Sequence, residues 1–301
     1  MALTAAEIIG NPVLEELVRR QSRALLLAYE ANPRVASVFA TQQRWLMAHA
    51  GLSLYFRRDP LDARKGLTAA RFLDEVGKYG IASPNTADAF RLELVKYGIL
   101  RAMPTAGDKR VRSLEPTQSS LDSLTGWMLL HLSTLDALDG GRRAACFTAG
   151  SDMLARLQPL VAAGLLSSQP VREPERTFSL FTWLNNGGVV MDWLISGTAS
   201  TAPEADRIPT GVVSITEFAA LLKLSIAHLS RKLREAEALG SVGWEGPRGR
   251  SAMWISRGFF DEYLRAQSVK LAIFDDAFAA CFDREQADKQ TPPGAPGRAA
   301  A

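Results

Sequence analysis

An internal repeat, carried by residues 71–117 and 214–256, constrains the fold of this chain more than any other feature. When Ser83 is aligned with Ser225, the same offset of 142 residues pairs Gly98 with Gly240. In each copy a short predicted helix ends at a turn. A second helix then opens with the serine and closes at the glycine, and a strand, a basic tip and another strand follow. Few residues are identical, so the repeat predicts two units that share an order of elements.

The repeated pattern is typical of a helix-turn-helix followed by a β-hairpin. Two short helices joined by a tight turn can hold the second helix with its N-terminal residues in a major groove. Ser83 and Ser225 are suitable N-caps, and Pro84 suits the first helical position. The hairpins carry short, basic, glycine-containing tips at residues 107–112 and 246–250. Tips of this composition are suited to contacts with a DNA backbone.

The second copy resembles the winged helix-turn-helix of the MarR-like transcription regulators. The resemblance lies in residues 216–234 (TEFAALLKLSIAHLSRKLR) and in the helix stop Glu237-Ala-Leu-Gly240. The first copy fits less well, because Arg91 stands where the second copy has the apolar Leu233. The resemblance implies a mainly α fold with tandem winged helix-turn-helix domains, each a three-helix core with a β-hairpin wing, linked by a helical region. It also implies binding to double-stranded DNA.

The distribution of charge favours the same interpretation. The whole chain carries 35 basic and 32 acidic residues, a net charge of +3. Residues 68–117 hold eight basic and six acidic side chains, and residues 214–258 hold seven and four. The two copies therefore total +5 and the remainder of the chain −2. Positive charge concentrated in the copies is what a phosphate-binding surface requires.

The residues predicted to contact DNA lie on the second helix and the wing of each copy. Asparagine can pair bidentately with adenine and arginine with guanine, and arginines at a glycine-flanked tip, with little to pack against, suit phosphates. For any single residue on these helices a solvated helix face is the alternative. The predicted set is Ser83, Asn85, Thr86, Arg91, Lys109, Arg110 and Arg112 in the first copy, and Ser225, His228, Ser230, Arg231, Arg234, Arg248 and Arg250 in the second.

Apolar residues at helical spacing outside the repeat predict packing helices. Asn11-Pro12 and Asn32-Pro33 are helix starts, and a long helix over 121–138 stops at Gly140. We expect the terminal helices to pack together. Their apolar stripes leave room for a homodimer as well. The predicted division is 1–60 (N-terminal helices for packing or dimerisation), 61–118 (first winged helix), 119–200 (helical middle region), 201–258 (second winged helix), 259–285 (C-terminal helix) and 286–301 (disordered tail).

The middle region leaves alternatives open. Two apolar runs flank Asn185-Asn186-Gly187-Gly188, which could close a hairpin or break one helix into two. Ser151 is a candidate cap for the helix before them, and residues 197–211 have the composition of a linker. The tryptophans have two expected roles. Trp244 and Trp254 are expected to form a cross-strand pair, and Trp127, Trp183 and Trp193 could line an effector pocket, although such aromatics are more often core.

Several function classes are disfavoured by what the sequence lacks. Two cysteines make no disulfide framework, and three separated histidines disfavour a metal site or a histidine-based hydrolase. Neither a signal peptide nor an 18-residue apolar run is present, so a cytoplasmic location without membrane partners is expected. No glycine-rich loop follows a strand, which disfavours nucleotide-dependent enzymes.

The sequence therefore predicts a cytoplasmic, sequence-specific, double-stranded-DNA-binding transcription regulator that is not an enzyme and needs no metal or cofactor. The alternatives are an enzyme of methyltransferase type with a winged-helix dimerisation domain, and a scaffold that uses both winged folds for protein contact. Because the copies differ in sequence, an asymmetric operator is expected. A small-molecule effector is compatible with the sequence but has no support in it.

Overall fold

The structure is a computed structural model that describes residues 2–31, 37–59, 61–103, 113–198 and 205–290. Helix makes up 68% of it and strand 7%, with the strands in small antiparallel sheets, which confirms the predicted mainly α class. The N-terminal part contains the helices α1 Ala5–Ile9, α2 Leu14–Ala31 and α3 Gln42–Phe56.

Each copy of the repeat is a pair of helices followed by a pair of strands, and the helical middle region lies between them. The first copy comprises α4 Ala69–Lys78, α5 Pro84–Lys96, β1 Leu100–Ala102 and β2 Leu114–Pro116. The middle region comprises α6 Gln118–Asp139, α7 Arg143–Ala149, α8 Met153–Ser167, α9 Gln169–Arg172, α10 Arg176–Thr182 and α11 Gly187–Ser196. The second copy comprises β3 Arg207–Pro209, α12 Ile215–Leu221, α13 Ile226–Ala238, β4 Val242–Trp244 and β5 Met253–Ser256, and α14 Arg257–Gln290 ends the described chain.

The long C-terminal helix α14 runs through the centre of the hydrophobic core. Its buried face carries Phe259, Phe260, Tyr263, Leu271 and Phe274. This face packs against the N-terminal helices α1 and α2 and against α6, α8 and α10 of the middle region. The N-terminal and C-terminal helices therefore pack together, as the sequence predicts.

The predicted helix starts are only partly reproduced. The side chain of Asn11 accepts a hydrogen bond from the Val13 backbone, and the helix begins just beyond, at Leu14. Asn32 and Pro33 lie outside the described residues, and α3 is capped by Thr41. Helix α6 ends, as predicted, at a left-handed Gly140 with φ +75°.

The open question in the middle region is resolved in favour of two helices. Asn186 adopts a left-handed φ of +57° between α10 and α11, so the tetrapeptide breaks a helix and does not close a hairpin. A Cβ at Gly187 would lie 1.7 Å from the Phe181 carbonyl oxygen, so this close approach requires glycine. The preceding helix α8 has Asp152 at its N-cap position, and the predicted cap Ser151 is wrong by one residue.

Two predicted boundaries in the C-terminal half also differ from the structure. The linker assigned to 197–211 contains strand β3, and its residues 199–204 lie outside the described part. Helix α14 begins directly at the end of β5 and extends to Gln290, past the boundary expected at 285, while residues 291–301 are outside the description.

A buried ion-pair cluster joins α14 to the middle region. Arg143 Nε lies 2.6 Å from Asp275 Oδ1, and its terminal nitrogens also donate to Asp139. Asp275 Oδ2 accepts a hydrogen bond of 2.8 Å from the backbone of Leu3. The side chains of Arg143 and Asp275 are only 11% and 4% exposed, so the pair is shielded from water and salt. One carboxylate thus ties three distant parts of the chain together.

We expect Asp275→Ala to lower the free energy of unfolding by about 3 kcal/mol, because a buried guanidinium loses one of its partners. The matched control is Glu175→Ala, which breaks the pair between Glu175 and Arg265, both about half exposed. Its loss should stay below about 1 kcal/mol. Urea unfolding followed by circular dichroism measures both, and equal losses would contradict the role of the buried cluster.

Candidate nucleic-acid interface

The two copies share backbone geometry in register with the sequence offset. Helices α5 and α13 start and end at equivalent residues, as do β1 and β4. Gly98 and Gly240 both end their helices in the left-handed conformation, with φ +68° and +71°. The backbone N–H after each glycine donates to the carbonyl five residues earlier, Ile99 to Leu94 and Ser241 to Ala236. The repeat predicted from the pattern of elements is therefore present in the fold.

The turn between the two helices is similar in the two copies, but the second is one residue shorter between its left-handed residue and the N-cap of the next helix. The backbone N–H of Ile81 donates to Val76, and that of Leu224 donates to Ala219. Each turn contains one left-handed residue, Gly80 with φ +61° in the first copy and Lys223 with φ +53° in the second. Both copies therefore join their two helices through a tight turn with one left-handed residue.

Each hairpin gains a third stretch of extended chain that sequence reasoning missed. In the second copy β3 pairs with β5, so the sheet order is β3-β5-β4. In the first copy Leu67 forms a single antiparallel bridge with Leu114 of β2. Both stretches stand just before the first helix of the copy. The sequence signal for this extra stretch was an apolar residue in the segment before the polar cap of the first helix. That residue is Leu67 in the first copy and Ile208 in the second.

In the second copy, helix α13 turns a basic face to solvent. Leu229, Leu233 and Ala236 are buried against the core, whereas Arg231 and Arg234 are exposed on the opposite side. Each arginine has only a loose contact within the helix: Arg231 Nε lies 3.9 Å from Glu235, and Arg234 lies 3.4 Å from the Ser230 hydroxyl. Both guanidinium groups are therefore free to meet an external partner.

The N-terminal turn of α13 carries the remaining predicted residues of this helix. Ser225 stands at the N-cap position and is exposed, but its side chain makes no capping hydrogen bond. Ser83, its counterpart, does cap α5 by accepting from Thr86 N at 3.3 Å. His228 and Ser230 are half-buried beside this turn. The Ser225 hydroxyl is thus available at a helix N-terminus, where a phosphate is stabilised.

The second wing lies against α13 and does not project freely. Arg248 Nε donates to both oxygens of Glu237, at 2.8 and 3.1 Å, and its terminal nitrogens donate to the hydroxyl and carbonyl of Ser230. The expectation that Arg248 has little to pack against is therefore wrong. Arg250, two residues along the tip, is exposed, and no hydrogen bond or ion pair of its side chain occurs among the described residues. The wing thus presents one free and one tethered arginine.

The predicted tryptophan pair on this hairpin does not form. Strand register places Trp244 opposite Met253 and Trp254 opposite Gly243, so the two indoles lie on opposite faces of the sheet. Trp244 Nε1 donates to Glu237 Oε1 at 3.0 Å, which fixes the carboxylate that holds Arg248. Trp254 instead covers Gly243, and the Arg207 guanidinium lies 4.6 Å from its ring centroid.

The corresponding surface of the first copy differs in chemistry. Asn85 and Thr86 are exposed but lie beside a small groove between α5 and α3, which Arg44 closes by pairing with Glu93. Arg91 is mostly buried and pairs with Asp88 at 2.7 Å, so it does not project from the helix. The exposed side chains further along the helix are largely apolar, with Leu92 at 53% and Tyr97 at 58% exposure. The first wing residues Lys109, Arg110 and Arg112 lie outside the described residues.

The three tryptophans considered for an effector pocket lie in different environments. Trp127 lines a large cavity between the helices, Trp183 is 66% exposed, and Trp193 packs against Phe218 of α12 at 6.3 Å between ring centroids. They do not form one site.

Neither a metal-binding cluster nor a membrane-spanning helix occurs in the described part of the chain. No group of three or more histidine, cysteine, aspartate or glutamate side chains is placed to hold a metal ion there. None of the helices in the same ranges combines the length and the apolar character needed to cross a membrane. Comparison of the chain with family models, with curated proteins and with solved structures found no match.

We expect Gly240→Ala to lower the free energy of unfolding by about 1 kcal/mol, because an L-residue is strained at positive φ. An added Cβ at Gly240 meets no atom within 4 Å, so sterics do not contribute. The control is Gly126→Ala in the middle of α6, where the space is equally open and the φ is helical. The free energy of unfolding of that variant should rise by about 0.5–1 kcal/mol. A stabilised Gly240→Ala variant in thermal unfolding would contradict the left-handed helix stop.

Proposed function

We propose that this protein is a transcription regulator that binds double-stranded DNA in a sequence-specific manner through winged helix-turn-helix modules, with the second module making the principal contact. The observation that carries the proposal is the surface formed by α13 and its wing. This surface combines the exposed guanidinium groups of Arg231, Arg234 and Arg250 with a helix N-terminus at Ser225. Guanidinium groups on one helix face suit base edges in a major groove, and a basic tip beside them suits the flanking phosphates.

The first module supports the proposal less directly. Its backbone repeats that of the second, but Arg91 is withdrawn into an ion pair and the outer face of α5 carries Leu92, Val95 and Tyr97. Apolar side chains exposed together on one helix favour contact with protein over contact with phosphate. The second candidate function is therefore that the first module holds a protein partner while the second binds DNA. An enzymatic role remains the rival interpretation with no feature of the described residues in its favour.

A mobility-shift assay with mixed genomic fragments and excess competitor DNA tests the proposal. A specific subset of fragments should shift at low nanomolar to micromolar protein and resist the competitor. If no fragment shifts at low salt, DNA binding is excluded and the protein-contact function takes its place. Footprinting of a selected site should then show one strongly protected half-site, because the two modules differ in charge.

The triple variant Arg231→Ala/Arg234→Ala/Arg250→Ala should weaken DNA binding and flatten its dependence on salt. Each phosphate contact contributes about 0.9 to the slope of log K against log salt concentration. An arginine that reads a base should instead relax the preference at one position by about 1–3 kcal/mol. Fluorescence anisotropy across a salt series measures the slope. Arg23→Ala, an exposed arginine on α2 outside both modules, is the control. Equal slopes in the triple variant and the control would refute the proposal that this surface contacts DNA.

We expect Glu237→Gln to raise DNA affinity severalfold, because the charged hydrogen bonds that hold Arg248 against α13 are weakened and the guanidinium can reach a phosphate. The removal of a negative charge near DNA would raise affinity on its own. The double variant Glu237→Gln/Arg248→Ala separates the two causes. If the gain persists in the double variant, Arg248 is a structural residue of the wing and makes no contact with DNA.

A further inference from the structure

A large cavity lies among the helices, away from the basic surface of the second module. Its volume is about 1260 Å³, and its walls come from α2, α3, α6, α11 and α14, with a contribution from the first module. Ligand sites in proteins usually enclose about 300–1,000 Å³, so the cavity is ample for a small organic molecule. The lining is mainly apolar, and the indoles of Trp45 and Trp127 face it with their centroids 6.1 Å apart.

Polar groups gather on the part of the wall formed by α2, α11 and α14. Asp192 Oδ1 accepts hydrogen bonds from Ser22 at 3.2 Å and from the Tyr263 hydroxyl. Next to them, Gln21 Nε2 donates to Gln267 Oε1 at 3.2 Å. The carboxylate is thus already supplied with two donors by the protein itself. Such a network inside an apolar cavity has a desolvation cost that its hydrogen bonds must offset.

Lys270 is the charged group on the inner wall of the cavity that has no partner among the described residues. It lies on α14, mostly buried and facing the cavity, and no hydrogen bond or ion pair of its ammonium occurs among the described residues. Burial lowers the pKa of Lys270 to about 8, while Asp192 opposes that shift, so the side chain is mainly protonated at neutral pH. Three neutral atoms of lining residues also have no hydrogen-bond partner among the described residues: Gln21 Oε1, Gln42 Oε1 and His49 Nδ1.

We propose that this cavity binds an amphipathic carboxylic acid, with the carboxylate on the Lys270 ammonium and the apolar body between Trp45, Trp127 and the aliphatic walls. The charged group of the inner wall that has no partner among the described residues is the cationic donor Lys270, so the complementary ligand brings an anionic acceptor. A cationic amphiphile fits less well, because Asp192 already accepts two hydrogen bonds. This binding site is independent of the proposed DNA contact.

The test is a head-group series on the full-length protein, measured by isothermal titration calorimetry below the micelle concentration. The probes are dodecanoate, dodecanol and dodecylamine, which share one apolar chain. We expect dodecanoate to bind at least tenfold more tightly than the alcohol or the amine. Equal affinities for the three probes, or no saturable binding of dodecanoate, would overturn the proposal.

Variants of the cavity wall show where the carboxylate of the bound ligand lies. Lys270→Met should weaken dodecanoate binding about tenfold to a hundredfold and leave dodecanol unchanged, because only the charged hydrogen bond is lost. Arg20→Met is the matched control, since Arg20 is another cation of the lining but is exposed to solvent, whereas the third, Arg91, is paired with Asp88. If Arg20→Met lowers the affinity and Lys270→Met does not, the acid sits at the mouth and the proposal is wrong. Ala24→Trp, which narrows the cavity, should weaken acid and alcohol alike.

The dependence of dodecanoate affinity on pH distinguishes a lysine that binds the ligand from one with a structural role only. Dodecanoate affinity should fall as the pH rises from 7 through the pKa of Lys270, because the neutral amine cannot pair with the carboxylate. The other titratable groups around this lysine do not change charge in that range. Burial raises the pKa of Asp192 to about 6 and that of Tyr263 well above its usual value, and it lowers the pKa of His49 to about 3 and that of His131 well below 6.5. The Lys270→Met profile should be flat, and a parallel decline in both proteins would contradict the assignment.

Discussion

The bidentate pairing of Arg143 with Asp275 determines where the long helix α14 lies, and much of the molecule depends on that helix. Asp275 also accepts from Leu3, so the N-terminus, the middle region and the C-terminal helix meet at one carboxylate. Helix α14 continues directly from strand β5 of the second module. The helix that continues from the second wing is therefore tied to the core at this contact.

The two modules show how a common backbone can carry different surfaces. The left-handed turns at Gly80 and Lys223, and the left-handed helix stops at Gly98 and Gly240, are geometric requirements that both copies meet. The outer faces of α5 and α13 are under no such requirement, since their side chains meet solvent. One face has become apolar and the other basic. Shared architecture is therefore weak support for a shared function, and the chemistry of each face has to decide.

Patterns of local origin were predictable from the sequence, and contacts between distant segments were not. The stop of α6 at Gly140 and the ends of α5 and α13 follow from glycine conformation and helical periodicity. Strand β3 was missed because three residues between polar neighbours have no periodicity to detect. Arg248 was misjudged because its partner Glu237 is brought to it only by folding of the hairpin onto α13. The cavity likewise depends on how five helices meet, which no segment reveals alone.

The polar part of the cavity wall is a stability cost that packing alone does not explain. The partly buried ammonium of Lys270, which has no partner among the described residues, and the buried amide oxygen of Gln21, which has no donor, each lower the stability of the folded state. Apolar residues of similar volume at these positions would remove the cost. In this wall the carboxylate of Asp192 is supplied with charged hydrogen bonds from two hydroxyl donors, so the cost of burying the polar groups is offset only in part. Groups held in this condition are what a binding site requires, because an anionic ligand completes the pairing that the protein lacks. Ligand binding would then stabilise the core in which Leu94 and Ile99 of the first module form part of the same wall.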